Sequence, residues 1–224
     1  MIERLTDREY RPDIHVSDIV GCAKKAAWSK KAPQPEYVHS MIYATMGTAM
    51  HAHLEEEDEH GAVSELEVAY KDVLGRADRY YEDGRLVDFK TSRWITPSKL
   101  PYGSHSLQLN VYAHMLRKTG KPVTSLAVQY IDLSGPTKCR KCRLPLEVTP
   151  SGLACPKCGN QPKNAHLGAM LVEVPIMPER EIERVFEERR RIIRDALDNN
   201  HLPEGEPSWL CHYCSFHEIC EDAL

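Results

Sequence analysis

The sequence predicts an α/β (α+β) protein. Three observations carry that reading. Alternating apolar runs between residues 63 and 90 are broken by Glu82-Asp83-Gly84, a turn signal that marks a strand meander. A helical run over 107–118 follows and leads into further strands. After Pro178, the residues Ile182, Val185, Phe186, Ile192, Ile193, Ala196 and Leu197 fall on one helical stripe that needs a core to cover it.

Ser17 reads as the N-cap of a short helix running through Cys22 to Trp28. A second helix covers 41–60, with acidic residues crowding its later turns. Strands follow over 63–70, 75–81 and 86–90. The helix over 107–118 is stopped by Gly120 and Pro122. Two more strands are expected over 123–133 and 169–176, and the last helix runs from Pro178 to about Asn199. Between those strands, 134–168 is rich in Pro, Gly and Cys, unlike its surroundings, and reads as an inserted module. Otherwise the chain reads as a single domain over 1–224, closed by a tail over 203–224.

The 224 residues are 42% hydrophobic and 28% charged, a globular composition long enough to bury a core without disulfides. Lys and Arg number 29 against 33 Asp and Glu, a net charge of −4. This balance excludes a wholly basic coating protein but leaves room for nucleic acid in a local basic groove. Apolar runs are far shorter than a membrane span, and Met1-Ile2-Glu3-Arg4 opens no signal-peptide core. The expectation is a cytoplasmic protein with no membrane partner.

Eight cysteines are spaced as Cys139-x2-Cys142, Cys155-x2-Cys158 and Cys211-x2-Cys214-x5-Cys220, with Cys22 alone near the start. In a reducing compartment such spacing reads as metal ligation before disulfides, and eight thiols divide into two sets of four.

The sharpest chemistry lies in the meander. Asp88-Phe89-Lys90 sends Asp88 and Lys90 from one strand face, about 6.6–6.8 Å apart along it. Gly75-x2-Asp78 brings a second carboxylate onto the neighbouring strand, and Glu65 and Glu67 share a face of the strand before. Upstream, His51 stands one helical turn after Gly47; downstream, Gln108 and Tyr112 share a helix face. Singly, each is ordinary surface chemistry. In this order, Gly-x3-His, Glu, Gly-x2-Asp, Asp-x-Lys and Gln-x3-Tyr resemble the PD-(D/E)XK nuclease superfamily, of the RecB-like branch.

That resemblance implies a PD-(D/E)XK core, with a mixed central sheet flanked by helices, and hydrolysis of DNA phosphodiesters. Asp78 and Asp88 would hold Mg²⁺ or Mn²⁺, with the Phe89 backbone carbonyl a further ligand and His51 completing the shell. Lys90 would orient the attacking water, Glu65 or Glu67 would be the upstream acid, and Gln108 and Tyr112 would support the site wall. Cys22, followed by Lys24, Lys25 and Trp28 and paired with the late Cys-x2-Cys-x5-Cys, resembles CRISPR-associated and phage iron–sulfur exonucleases. This implies that Cys22, Cys211, Cys214 and Cys220 bind a [4Fe–4S] cluster, although zinc suits the same four thiolates. It also implies an exonuclease acting on linear DNA with recombination or replication partners; a site-specific endonuclease and a non-catalytic DNA-binding module are the alternatives.

The insertion departs from that pattern. Two CxxC knuckles twelve residues apart resemble a zinc ribbon, in which Cys139, Cys142, Cys155 and Cys158 would close a structural Zn²⁺ site. Lys138, Arg140, Lys141 and Arg143 make its first knuckle basic, either to touch DNA phosphates or to keep the module soluble. The same two readings stand for Arg189, Arg190, Arg191 and Arg194 on the last helix.

Overall fold

The computed structural model describes residues 4–5, 13–32, 36–55, 60–92, 95–199 and 201–224. In chain order these form β1 (Arg4–Leu5), β2 (Ile14–His15), α1 (Val16–Val20), α2 (Ala23–Lys31), β3 (Glu36–Tyr37) and α3 (Val38–Glu55). The meander is β4 (Ala62–Tyr70), β5 (Val73–Tyr81) and β6 (Arg85–Ser92), followed by α4 (Gly103–Lys118) and β7 (Ser125–Asp132). The insertion holds β8 (Glu147–Thr149) and β9 (Gly152–Ala154); β10 (Ala169–Val174) and α5 (Glu179–Asp198) complete the fold.

Among the described residues the main sheet has six strands in the order β10-β7-β6-β5-β2, with β4 also on β5. It is mixed: β6 runs parallel to β7 and β2 parallel to β5, while β4–β5, β5–β6 and β7–β10 are antiparallel. Helix α4 lies against β4, β6 and β7, α1 against β5, and α5 against α2 and α4. Leu86, Leu126, Val128, Leu109, Met115, Ile182, Phe186 and Ile193 meet in one continuous core. The stripe on α5 buries Ile182, Phe186, Ile193 and Ala196, as its 3.6-residue period requires.

Two sequence expectations are corrected. The first helix is two, because Gly21 ends α1 with its N–H on the Ser17 carbonyl at 3.1 Å and Cys22 opens α2. Its N-cap is His15, whose N–H donates to Asp18 at 2.7 Å, so Ser17 lies inside the helix. Helix α4 begins at Gly103, before the expected 107. Of the second helix, 56–59 lie outside the described residues.

A half-buried polar clamp holds the first turn of the meander. Asp72, in the β4–β5 turn, accepts from Arg194 Nε at 2.7 Å and pairs with Arg190, which ties the sheet to α5. Burial pushes the Asp72 carboxyl up, but the two guanidinium groups outweigh it and hold it below the ordinary range.

Gly75 has a steric reason. A Cβ there would stand 2.6 Å from Tyr112 Cε1 and 2.7 Å from Val16 Cγ2. Gly75→Ala is therefore expected to destabilise the fold by about 1–3 kcal/mol through overpacking, read as a lowered thermal midpoint. A second expectation concerns His114, fully buried between the rings of Tyr70 and Phe186, with Nδ1 3.0 Å from Glu179 and Nε2 without a partner. Burial pushes its imidazole below the ordinary value. The unfolded chain then takes a proton that the folded chain refuses, so stability should fall as pH drops below about 6.5. His114→Leu should flatten that decline in denaturant titrations between pH 7 and pH 5; an unchanged decline would assign it to other groups.

Candidate active site

The site forms where two strands part. β4 occupies one edge of β5 along its length, so β6 and β2 share the other. β6 pairs with β5 only at Arg79↔Val87 and Tyr80↔Leu86, while β2 takes Val73 and Leu74. Between these points the Phe89 peptide has no ladder partner on β5. Its N–H donates instead to Asp78 Oδ2 at 2.7 Å, and its carbonyl lies 3.0 Å from His51 Nε2. Buried backbone groups must be satisfied, and here two side chains replace a strand.

Each of those side chains has a local cause. Asp78 follows Gly75 on β5, where the missing Cβ admits Tyr112. His51 sits one turn after Gly47, whose Cβ position lies 3.3 Å from Thr91 Oγ1, so α3 runs close over β6. Arg79 donates to the Leu54 carbonyl at the end of α3 and lies over the Phe89 ring at 5.2 Å, which fixes helix and strand together. His51 Nδ1 is 3.8 Å from Asp78 Oδ1.

Glu65 joins them. It stands opposite Asp78, at the one step of the β4–β5 ladder that does not pair, with φ at 51° in the left-handed region. Such a backbone is unusual for a non-glycine residue and marks a local constraint. His51, Glu65 and Asp78 each offer an atom within 4.8 Å of the others, a group able to hold a metal ion. Glu67 sits further along, across from Arg76 in the ladder, and Arg76 itself forms an ion pair with Glu65.

Asp88 lies outside that group and turns to Lys90, whose Nζ is 2.7 Å from Oδ2. Both residues project from one face of β6, as the spacing requires. Asp88 is 1% exposed, and neither carboxylate oxygen accepts a hydrogen bond of good geometry. Burial pushes its carboxyl up to about 7, the Asp78 charge adds to this, and Lys90 opposes it. A buried carboxylate with lone pairs to spare, beside three potential ligands, fits a divalent cation.

The far wall comes from α4. Burial pushes the Tyr112 hydroxyl up to about 12, against hydrogen bonds from the Arg76 backbone and the Gln108 side chain. His105, which sequence reasoning missed, lies one turn before Gln108 on the same helix. Burial, then the Lys90 charge, lowers its imidazole to about 4, so it is neutral. Its Nδ1 is 3.0 Å from Tyr130 Oη, and that oxygen accepts the Tyr102 N–H at 3.2 Å. The i, i+3, i+7 spacing of His105, Gln108 and Tyr112 was the available signal.

The cysteines separate into two places. Cys139, Cys142, Cys155 and Cys158 offer sulfurs within 4.8 Å of one another, with Cys139 and Cys158 Sγ 3.7 Å apart. Four thiolates at about 2.3 Å from one tetrahedral ion stand about 3.8 Å apart, so the set fits a single ion. No three of Cys22, Cys211, Cys214 and Cys220 are drawn that close. Their segments do meet: Glu206 accepts the Ala23 N–H at 3.0 Å, Lys24 pairs with Asp222 at 2.6 Å, and Trp28 stacks on Phe216 at 5.0 Å. No described helix is long and apolar enough to cross a membrane.

Known proteins place this arrangement. The chain is similar to the crystal structure of SSO0001, at 21% identity and a TM-score of 0.57, covering 96% of this chain and 89% of that one. It is similar also to a phage related exonuclease from Haemophilus somnus 129PT, at 11% identity and a TM-score of 0.52, covering 88% and 96%. No curated protein sequence matches it. The structural likenesses speak to the fold; the family model for the PD-(D/E)XK nuclease superfamily matches residues 2–221. With that match across nearly its whole length, the chain belongs to the PD-(D/E)XK nuclease superfamily.

Proposed function

We propose that the chain is an Mg²⁺- or Mn²⁺-dependent DNA exonuclease acting on linear DNA in phage or bacterial recombination, replication or CRISPR-type processing in the cytoplasm. The observation that carries the reading is the opening beside Phe89, where His51, Glu65 and Asp78 gather next to the buried Asp88–Lys90 pair. The likeness to a phage related exonuclease supports the exonuclease form of the activity.

His51, Glu65, Asp78 and Asp88 are the residues that would hold the cation, with the Phe89 carbonyl, 3.0 Å from His51 Nε2, as a further ligand. A bound divalent ion would lower the pKa of a coordinated water and neutralise charge on the scissile phosphate. Lys90 would orient the attacking water and stabilise the charge building on the phosphate oxygens. Asp88, ion-paired to Lys90 at 2.7 Å, orients that ammonium beside the opening. Gln108 and Tyr112 hold the wall against which the DNA backbone would lie. The new bond joins the water oxygen to phosphorus, the bond to the sugar oxygen breaks, and a proton ends on the leaving oxygen.

Cys139, Cys142, Cys155 and Cys158 would bind a structural Zn²⁺. Cys22, Cys211, Cys214 and Cys220 would bind a [4Fe–4S] cluster, which holds its thiolates wider apart than a single ion does. The contacts Glu206–Ala23, Asp222–Lys24 and Phe216–Trp28 support this by bringing the tail cysteines to the region of Cys22.

Lys90→Ala and Asp88→Asn should each reduce cleavage of end-labelled linear DNA by at least about 100-fold with Mn²⁺ present, the lower end of the effects of charge-stabilising groups. Closed circular DNA should resist the wild type; cutting it would favour an endonuclease. For the cysteines, anaerobically purified wild type should contain both iron and zinc. Cys22→Ser should lose the iron and its brown colour while the ribbon keeps its zinc, and a protein holding zinc alone would replace the cluster with a second zinc site.

A further inference from the structure

The cations of this chain divide into those held by the fold and those left to solvent. On α5, Arg190 and Arg194 clasp Asp72, Arg184 pairs with Glu188, and Arg189 donates to the Ile19 and Gly21 carbonyls and to Glu206. Arg189, Arg190 and Arg194 hold helix, sheet and tail together, while Arg191 is exposed and has no ion-pair partner among the described residues. The ribbon is different. Residues 134–168 carry six cations (Lys138, Arg140, Lys141, Arg143, Lys157 and Lys163) against one acid, Glu147, a formal charge of +5. The whole chain is at −4, so the remainder stands at −9. All six cations are exposed, and among the described residues none has an ion-pair partner. Four thiolates around a dication would subtract about two charges and leave the module cationic.

Arg143 adds an independent sign. The two knuckles close alike: the Arg143 N–H donates to the Cys139 carbonyl at 2.8 Å, and the Gly159 N–H to the Cys155 carbonyl at 2.9 Å. Both closing residues are left-handed, with φ of 60° and 69°. Glycine accepts that conformation freely, whereas arginine is strained in it. Solubility does not call for an arginine at this position, and acids would serve solubility better.

The module is also rooted beside the nuclease site. Asp132, at the end of β7, accepts Ser134 N–H at 2.8 Å and Ile95 N–H at 3.1 Å, and lies 3.2 Å from His166 Nε2. His166 Nδ1 accepts the Gly168 N–H at 3.2 Å, so Nε2 carries the proton toward Asp132. The Leu133 N–H donates to the Ser92 carbonyl at 2.8 Å, which fixes the stem two residues past Lys90, about 6.6 Å along the strand. An open groove of about 610 Å³ separates the ribbon from the turn after β6, lined by Pro97, Ser98, Ser151, Gln161, Lys163 and Asn164.

We propose that the ribbon is a DNA-binding site, its first knuckle from Lys138 to Arg143 gripping the phosphate backbone of the strand presented to the nuclease site. This rests on the nuclease reading above and adds where the substrate is held. Fluorescence anisotropy with end-labelled DNA, with no Mg²⁺ or Mn²⁺ added so that cleavage does not start and with no chelator that would strip the ribbon's zinc, across a salt series tests it on the full chain. Arg143→Gly relieves the left-handed strain, so its thermal midpoint should hold or rise. It should nonetheless bind DNA about eightfold more weakly at 0.1 M salt and lower the salt slope by about 0.9, the release of one phosphate's counterions. Combined Lys138→Gln, Arg140→Gln and Lys141→Gln should lower the slope by up to about 2.7. Wild-type affinity and slope in both variants would overturn the proposal while leaving the nuclease intact. A wild type that neither binds nor cleaves DNA would overturn both readings, and tighter binding of RNA of the same sequence would overturn this one.

Discussion

The structure turns on one peptide group that the sheet does not satisfy. Phe89 lies where β5 and β6 diverge, and its N–H and carbonyl are met by Asp78 and His51 in place of a strand. A sheet closed at this point would bury the carboxylates under a ladder and leave no room for a phosphate. Because the gap is held open by side chains, its walls are functional groups. The surrounding distortions follow: α3 must pass close enough for His51 to reach Phe89, which Gly47 allows, and Arg79 fastens the end of α3 to the same strand. Opposite, Glu65 leaves the regular ladder and comes within metal-binding reach of Asp78 and His51.

Such an opening concentrates unfavourable charge, and the rest of the fold resists its collapse. Asp88 is buried, its carboxyl raised to about 7 by burial and the neighbouring Asp78, and only Lys90 opposes this. The meander around it is anchored through Asp72 to α5, and α5 is anchored through Arg189 to the turn before α2 and to the tail. The tail has little apolar surface of its own to bury. It is held by Lys24–Asp222, by Glu206 on the first turn of α2 and by Phe216 on Trp28, which brings Cys211, Cys214 and Cys220 to the region of Cys22.

How much of this was legible in the sequence depends on the range of the interaction. The meander, the amphipathic α5 and the separate ribbon follow from local periodicity and turn chemistry, and they are present within a few residues of their expected bounds. His51 and Asp78 read in sequence as ligands of one ion together with Asp88, whereas the group that gathers in the structure joins them to Glu65, read there only as the upstream acid. Choosing between Glu65 and Glu67 was not possible, because alternation puts both on one face, and only the break in the β4–β5 ladder separates them. The split of the first helix was missed because Asp18 caps His15 from inside the helix and Gly21 ends it four residues after Ser17. His105 was missed because its neutrality comes from burial and from Lys90, neither of which a linear pattern contains. Arg189, Arg190, Arg191 and Arg194 read in sequence as touching DNA or keeping the helix soluble. The partners of Arg189, Arg190 and Arg194 at Asp72, Glu206 and the α1 end are more than ten residues away, and Arg191 stays exposed.

A nuclease must hold a polyanion against its own acidic site. Outside the ribbon this chain is formally at −9, and the opening at Phe89 gathers Glu65, Asp78 and Asp88 around a single lysine. Unaided, that field repels a phosphate backbone, and at physiological salt the repulsion is still felt within about 8 Å. A divalent cation reverses the sign only at the reacting phosphate, since its charge is largely consumed by the carboxylates that bind it. The flanking phosphates need another source of attraction. Arg190 and Arg194 of α5 cannot supply it, because they are closed into ion pairs with Asp72 that hold the fold. The ribbon's exposed cations, carried on a module fixed by Asp132 and His166 to the strand ends beside Lys90, form a cluster of unpaired positive charge placed for the substrate.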